Sequence, residues 1–257
     1  MTGFGGEVSE YYQRFRRGYP AAVFDALAAV FGLTGEDVVL DLGCGTGQLS
    51  RPMAARVGAV LGMDPEPDML AQARGAATES NVTWLLGSDT DVPSLGALMG
   101  GGRLGAVTIG QALHWMDHDT LFRTLPSLLR PGGGVAVVTN GEPLWLQDCY
   151  WSRALKAVVE EWLGHSLHAT CGTDPAAQER YRSALAAAGY AVHKRTIEYT
   201  AALDVDQIVG GVFSAMSPES LPAPEARPDF AERVRLAVEP YEPLTEQVRV
   251  RLLTGVR

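Results

Sequence analysis

The residues with the clearest chemical potential are Asp41-Leu42-Gly43-Cys44-Gly45-Thr46-Gly47, where glycine recurs at every second position directly after a short apolar run. Glycine there lets the backbone turn tightly and lets a ligand approach without meeting a Cβ atom, which suits a nucleoside-type ligand. The dinucleotide fingerprint G-x-G-x-x-G needs a further small residue where Gln48 stands, and this argues against a nicotinamide cofactor. Other catalytic signatures are missing. G-x-S-x-G is absent, so no hydrolase nucleophile is signalled. His165 and His168 have H-x-x-H spacing without Cys or carboxylate partners at ligand spacing, and no metal site is expected. Cys44, Cys149 and Cys171 are odd in number and form no C-x-x-C pair, which favours reduced thiols over a disulfide framework or a zinc site.

A turn of this kind must be held by a strand before it and a helix after it. The run 37–43 is a short apolar strand, and 59–64 repeats that form after a helix-length spacer. Strand-like runs follow at 82–87, 104–111 and 133–140, with periodic helical stretches between them, such as 120–130. This alternation is the βαβ pattern of a parallel sheet covered by helices on both faces. Pro131 with Gly132–Gly134 is expected to close the 120–130 helix, since proline cannot continue it. Beyond residue 141 the alternation is interrupted by an aromatic-rich helix predicted over 144–164. A helix over 175–190 and a strand over 191–200 follow. Helices within 203–240 surround a Pro-rich loop at 218–228, and the alternating segment 247–256 reads as an antiparallel strand.

The stretch DVVLDLGCGTGQLS resembles the first motif of class I S-adenosylmethionine-dependent methyltransferases, and LRPGGGVAVV (129–138) is similar to a later helix-to-strand turn of that family. Together with LGAVTIGQALHWMD (104–117), which resembles the fourth motif of the small-molecule branch, these segments cover residues 37–140. That branch includes trans-aconitate-type and antibiotic-tailoring enzymes. The resemblance implies a single Rossmann-like α/β domain over 1–257: a seven-stranded, mostly parallel sheet, its last strand antiparallel. It also implies helical cap elements at 1–20, 141–172 and 203–240. For the cofactor, S-adenosylmethionine with S-adenosylhomocysteine as product, it implies binding by Asp41, Gly43, Gly45, Gly47 and Gln111. Asp64, at the end of the second strand, would hold both ribose hydroxyls. GSDTDVP (87–93) carries Ser88 where the family usually has Asp, so adenine falls to Ser88, Asp89 or backbone groups. The N-terminal YYQRFRRGYP (11–20) resembles an element that this branch folds over the cofactor. Aromatic faces suit a sulfonium and an Arg suits the carboxylate tail, which selects Tyr11, Tyr19 and one of Arg14, Arg16 or Arg17, with Arg16 preferred.

Methyl transfer depends mainly on aligning nucleophile, methyl and sulfur in a site closed to water. A hydroxyl acceptor gains from a general base, and His114, beside Trp115 at the end of the fourth strand, is the best-placed candidate, with His118, His165 and His168 as further options. Tyr11 is the other candidate catalytic residue, and Trp115 and Trp145 are candidate acceptor contacts.

Composition narrows the partners. The 257 residues are 46% apolar and 20% charged, which is globular, and 21 Lys and Arg against 30 Asp and Glu give a net charge of −9. An acidic surface disfavours nucleic acid. No run approaches 18 uncharged apolar residues, and the opening MTGFGGEVSE lacks the basic and apolar regions of a leader, so no membrane association and a cytoplasmic location are expected. The expected reaction is methylation of an amine or hydroxyl of a small molecule such as an antibiotic intermediate, by a protein free to form a homo-oligomer. The alternatives are a methyltransferase for RNA or a protein terminus, and a cofactor-binding partner without catalysis.

Overall fold

A computed structural model describes residues 3–257; the first two residues of the 1–20 element lie outside the described residues. The elements run α1 (Glu7–Phe15), α2 (Ala21–Phe31), β1 (Val38–Leu42), α3 (Ser50–Ala54), β2 (Ala59–Asp64), α4 (Pro67–Ala76), β3 (Val82–Leu86), α5 (Val92–Met99) and β4 (Leu104–Gly110). They continue with α6 (His118–Thr124), β5 (Leu129–Asn140), α7 (Tyr150–Leu163), α8 (Pro175–Ala187), β6 (Ala191–Ala202), α9 (Val205–Phe213), α10 (Arg227–Val238) and β7 (Thr245–Val256).

The seven strands lie in the order β3-β2-β1-β4-β5-β7-β6, six parallel and the last, β7, antiparallel to β5. The fold is Rossmann-like. Side chains alternate across a strand, and both faces of the central strands are buried. Leu40, Leu42, Val107, Ile109, Val135 and Val137 share one core with residues of α6 and α8. The intervening Val39, Ala106, Ala136 and Val138 are as fully buried on the opposite face. The resulting continuous apolar runs are the mark of strands covered on both sides.

Residues cluster into two compact units. The sheet unit comprises 17–140, 171–197 and 249–257. The helical unit comprises the N-terminal residues through Arg16 with 141–170 and 198–248, and its core is built on Trp151, Leu155, Ile208, Phe213, Phe230 and Val234. Helix boundaries follow ordinary capping chemistry. The Asp174 carboxylate accepts from the Ala177 amide ahead of Pro175, Asp204 and Gln207 cap α9 reciprocally, and Gly32 and Gly164 end their helices in the left-handed conformation.

Two local expectations are corrected. The 120–130 helix stops at Thr124, passes through a 3₁₀ turn at Leu125–Ser127, and the chain is already a strand at Leu129. Pro131–Gly134 therefore lies inside β5 and does not terminate a helix. A register shift against β4, where Leu104 pairs Leu129 but Ala106 pairs Gly134, absorbs the extra residues. A Cβ on Gly134 would collide with the Gly255 carbonyl and the Phe31 ring, so glycine serves close packing there. Arg130 donates to Asp37 at 2.5 Å and to the carbonyls of Phe31 and Gly32. The second correction is the 144–164 helix, which begins only at Tyr150 and leaves Trp145 in the preceding turn.

Candidate functional site

The sheet order reverses between β1 and β4: from β1 the chain moves to β2 and β3 on one side, then returns to β4 on the other. In open parallel sheets the crevice at the carboxyl ends of such strands is where ligands bind. The glycine turn leaves β1 at this point. Gly43, Gly45 and Gly47 all have positive φ (69°, 54° and 87°), a region costly for other residues. Close packing adds to the requirement. A Cβ on Gly43 would lie 2.5 Å from Ala112 Cβ, and one on Gly47 would lie 2.6 Å from the Trp84 ring.

Asp64 ends β2 and is 8% exposed. One carboxylate oxygen accepts from the Gly45 amide at 2.8 Å and the other from the Glu66 amide at 2.9 Å. Glu66, not Asp64, is the N-cap of α4. Each oxygen of a carboxylate has two lone pairs, so the two amides leave Asp64 with capacity for two further donors. Burial raises its pKa, against which the two amide bonds act.

Asp41 lies beneath the turn, fully buried. Its oxygens accept from Ser50 Oγ at 2.5 Å and Thr108 Oγ1 at 2.9 Å, so it ties the helix after the turn to β4. Burial, opposed by these hydroxyls, pushes its pKa up to about 6. Burial also raises the neighbouring Cys44 thiol well above its usual range.

The loops after β3 and β4 are joined. Asp89 Oδ2 accepts from the Asp117 amide at 3.2 Å, while Ser88 turns back onto Thr90 and Asp91. Gln111 sits at φ 54°, uncommon for a residue with a side chain. His114 follows in a 3₁₀ turn, its ring 5.0 Å from that of the exposed Trp115. Burial lowers the His114 pKa, which keeps the ring neutral at pH 7. Tyr19 reaches the same edge. Its hydroxyl lies 2.9 Å from the point where a Cβ on Gly110 would stand, and its ring packs edge-on to Phe24.

Thus Tyr19, Asp41, Gly43, Gly45, Gly47, Asp64, Ser88, Asp89, Gln111, His114 and Trp115 all belong to the sheet unit. Tyr11, Arg16 and Trp145 belong to the helical unit. Tyr11 packs against Phe15 and Phe213, the Arg16 guanidinium lies over the Tyr12 ring, and Trp145 packs on that unit's core. His118 is edge-on to Tyr181 and Phe122 in the sheet unit, whereas His165 and His168 are exposed. Trp84 and Gly110 were not singled out by sequence. The signal for Trp84 was Gly62, an isolated glycine inside an apolar strand, where the Trp84 ring comes within 2.7 Å of the missing Cβ.

The turn and its surroundings fit a nucleoside. The glycines leave a cradle that side chains would fill, Asp64 has acceptor capacity suited to a diol, and buried Thr46 Oγ1 lacks a hydrogen-bond partner. Among the described residues no group of three or more His, Cys, Asp or Glu is placed to hold a metal ion, and no helix is long and apolar enough to cross a membrane.

Comparison with known proteins agrees with this geometry. A family profile described as a methyltransferase domain matches residues 39–133. A protein named an uncharacterized methyltransferase, Rv3342 of Mycobacterium tuberculosis, is 31% identical over 156 residues; the match spans 61% of this chain and 58% of that protein. The trans-aconitate 2-methyltransferase of Deinococcus radiodurans is 38% identical over 102 residues, 38% of this chain and 36% of that one. A solved structure assigned as a type II methyltransferase from Anaeromyxobacter dehalogenans shares the fold, with a TM-score of 0.59 at 22% identity over 95% of this chain and 97% of that one. Residues 39–133 thus match a methyltransferase domain, and the chain has the Rossmann-like fold of that solved structure.

Proposed function

We propose that this protein is an S-adenosylmethionine-dependent methyltransferase whose acceptor is the hydroxyl or amine of a small molecule, such as a natural-product intermediate. The observation that carries the reading is the positive-φ glycine turn beside the half-used carboxylate of Asp64, at the reversal of strand order. When bound, the cofactor supplies a methyl group on a cationic sulfur. The Gly43–Gly47 backbone would cradle it, Asp64 would accept from its ribose hydroxyls, and Ser88 with Asp89 would take the adenine. Tyr19 and Gln111 line the β4 side. Neutral His114 takes the acceptor's proton, a role that protonation of the ring would abolish. An acceptor of modest size accords with the −9 charge and with the likeness to an enzyme named for trans-aconitate.

Thermal unfolding with S-adenosylmethionine, S-adenosylhomocysteine or NADH tests the reading. At ligand a hundredfold above Kd, mass action adds about 2.7 kcal/mol, which raises the Tm of a protein this size by several degrees. A rise with the first two alone is expected, and a rise with NADH alone overturns the proposal. Asp64→Ala should weaken S-adenosylhomocysteine binding by about 1.5–3 kcal/mol in titration calorimetry, the scale of hydrogen bonds to a charged group. Unchanged affinity removes Asp64 from the site. His114→Ala should lower turnover and leave cofactor affinity intact.

A further inference from the structure

A small recess of about 10 Å³ opens at the carboxyl ends of β4 and β5, lined by Gln111–His114, Val137–Thr139, Cys171–Gly172 and Tyr181. Its volume matches one water-sized group. Three independent features converge on it. Thr139 is 4% exposed, and its hydroxyl has no hydrogen-bond partner; the side-chain oxygen Gln111 Oε1 is likewise buried and unpaired. Buried polar atoms in proteins are normally satisfied. Secondly, Gln111 (φ 54°) and Cys171 (φ 51°) are the only non-glycine residues with positive φ among the described residues, and both are in its wall. Backbone strain of this kind clusters at ligand sites. Thirdly, the wall contains no Lys, Arg, Asp or Glu, and its one histidine is neutral at pH 7. The roof is firmly held: Gln178 Nε2 donates to the Gly172 carbonyl at 2.7 Å, and a Cβ on Gly172 would lie 2.7 Å from the Tyr181 hydroxyl.

We infer that this recess is a subsite for one neutral hydroxyl of the acceptor, which donates to Gln111 Oε1 and shares a hydrogen bond with Thr139 Oγ1. The inference rests on the transferase reading and narrows it. A carboxylate is too large and finds no cation in the wall, and an ammonium finds no anion. A hydroxyl has the size of the recess and both donates and accepts. Thr139 and Gln111 are thereby specificity-determining residues for hydroxyl-bearing acceptors.

The test uses the full chain loaded with S-adenosylhomocysteine and the probes phenol, toluene and benzoate, followed by amide NMR shifts. Phenol should shift the Gln111, His114 and Thr139 amides saturably, whereas toluene and benzoate should not. Thr139→Val, which keeps the shape and removes the hydroxyl, should weaken phenol at least fivefold, Thr139→Ser should restore it, and calorimetric affinity for S-adenosylhomocysteine should stay the same throughout. Equal binding of toluene or benzoate, or of phenol to wild type and Thr139→Val, overturns the subsite and leaves the recess to a structural water. If wild type does not bind S-adenosylhomocysteine, the transferase reading fails, and the phenol–toluene difference on the unloaded chain still decides the subsite.

Discussion

The sheet unit and the helical unit are both well packed, but their packing is specified in opposite ways. In the sheet unit the decisive positions are ones where a side chain is missing: Gly43, Gly47, Gly62, Gly110 and Gly134 each let a ring, methyl or carbonyl occupy the space of a Cβ. In the helical unit the decisive positions are large. Phe230 meets Phe213 at 5.2 Å and Trp162 at 5.2 Å, and Phe213 meets Tyr11 at 5.1 Å. Only α9 borrows the other device extensively, its Gly210 and Gly211 making room for Phe15 and Leu144. The first kind of packing resists added atoms and the second resists their removal, because interiors are near crystal density and relax poorly in either direction.

That contrast can be broken by mutation. The largest effect should come from Phe230→Ala, which empties the centre of the helical core at a cost of about 3–5 kcal/mol in denaturant unfolding. A loss below 1 kcal/mol would mean that this core is not packed as described.

Asp41 sharpens the picture in the sheet unit, where a buried charge replaces a buried ring. Its folded pKa is raised from 3.8 to about 6, so the folded state binds its proton more tightly than the unfolded chain. The associated stability is present below pH 4 and lost as pH rises through about 6, an order-of-magnitude change of about 3 kcal/mol. Asp41→Asn removes this titration, so its stability relative to wild type should rise by that amount between pH 4 and pH 7. Parallel stability curves for the two proteins would refute the assignment.

Next comes Gly47→Ala, which combines a positive φ with a collision against Trp84, and should cost about 2–3 kcal/mol and reduce cofactor affinity. Gly18→Ala is its control: nothing lies within 4 Å of the added methyl, and a stabilisation of about 0.4–1 kcal/mol is expected from the less flexible unfolded chain. Equal losses at the two glycines would erase the distinction. Smallest should be Glu7→Gln, which removes an exposed pair with Arg227 and should leave Tm within measurement error.

Local pattern made much of the sheet unit legible. The apolar runs of β1, β2 and β4 were found within a residue of their ends, because strands covered on both faces leave little freedom in composition, and the β-branched and aromatic run of the edge strand β3 was found equally closely. The glycine turn was equally plain, since positive φ selects glycine at the residue itself. The end of the 120–130 helix was misread because Arg-Pro-Gly-Gly-Gly carries the same residues as a helix stop. Its role as a strand bulge depends on Gly255, more than 120 residues away in sequence.

The sequence by itself thus determined the strand series, the glycine turn and the family motif that these compose, all of which depend on neighbours a few residues apart. Only the tertiary structure decided that Asp41 serves Ser50 and Thr108, that Asp64 holds the Gly45 amide, that Trp84 fills the space left by Gly47 and Gly62, and that Gln111, Thr139 and Cys171 meet in one recess. Those relations join side chains brought together by strand order and register, and no spacing along the chain encodes them.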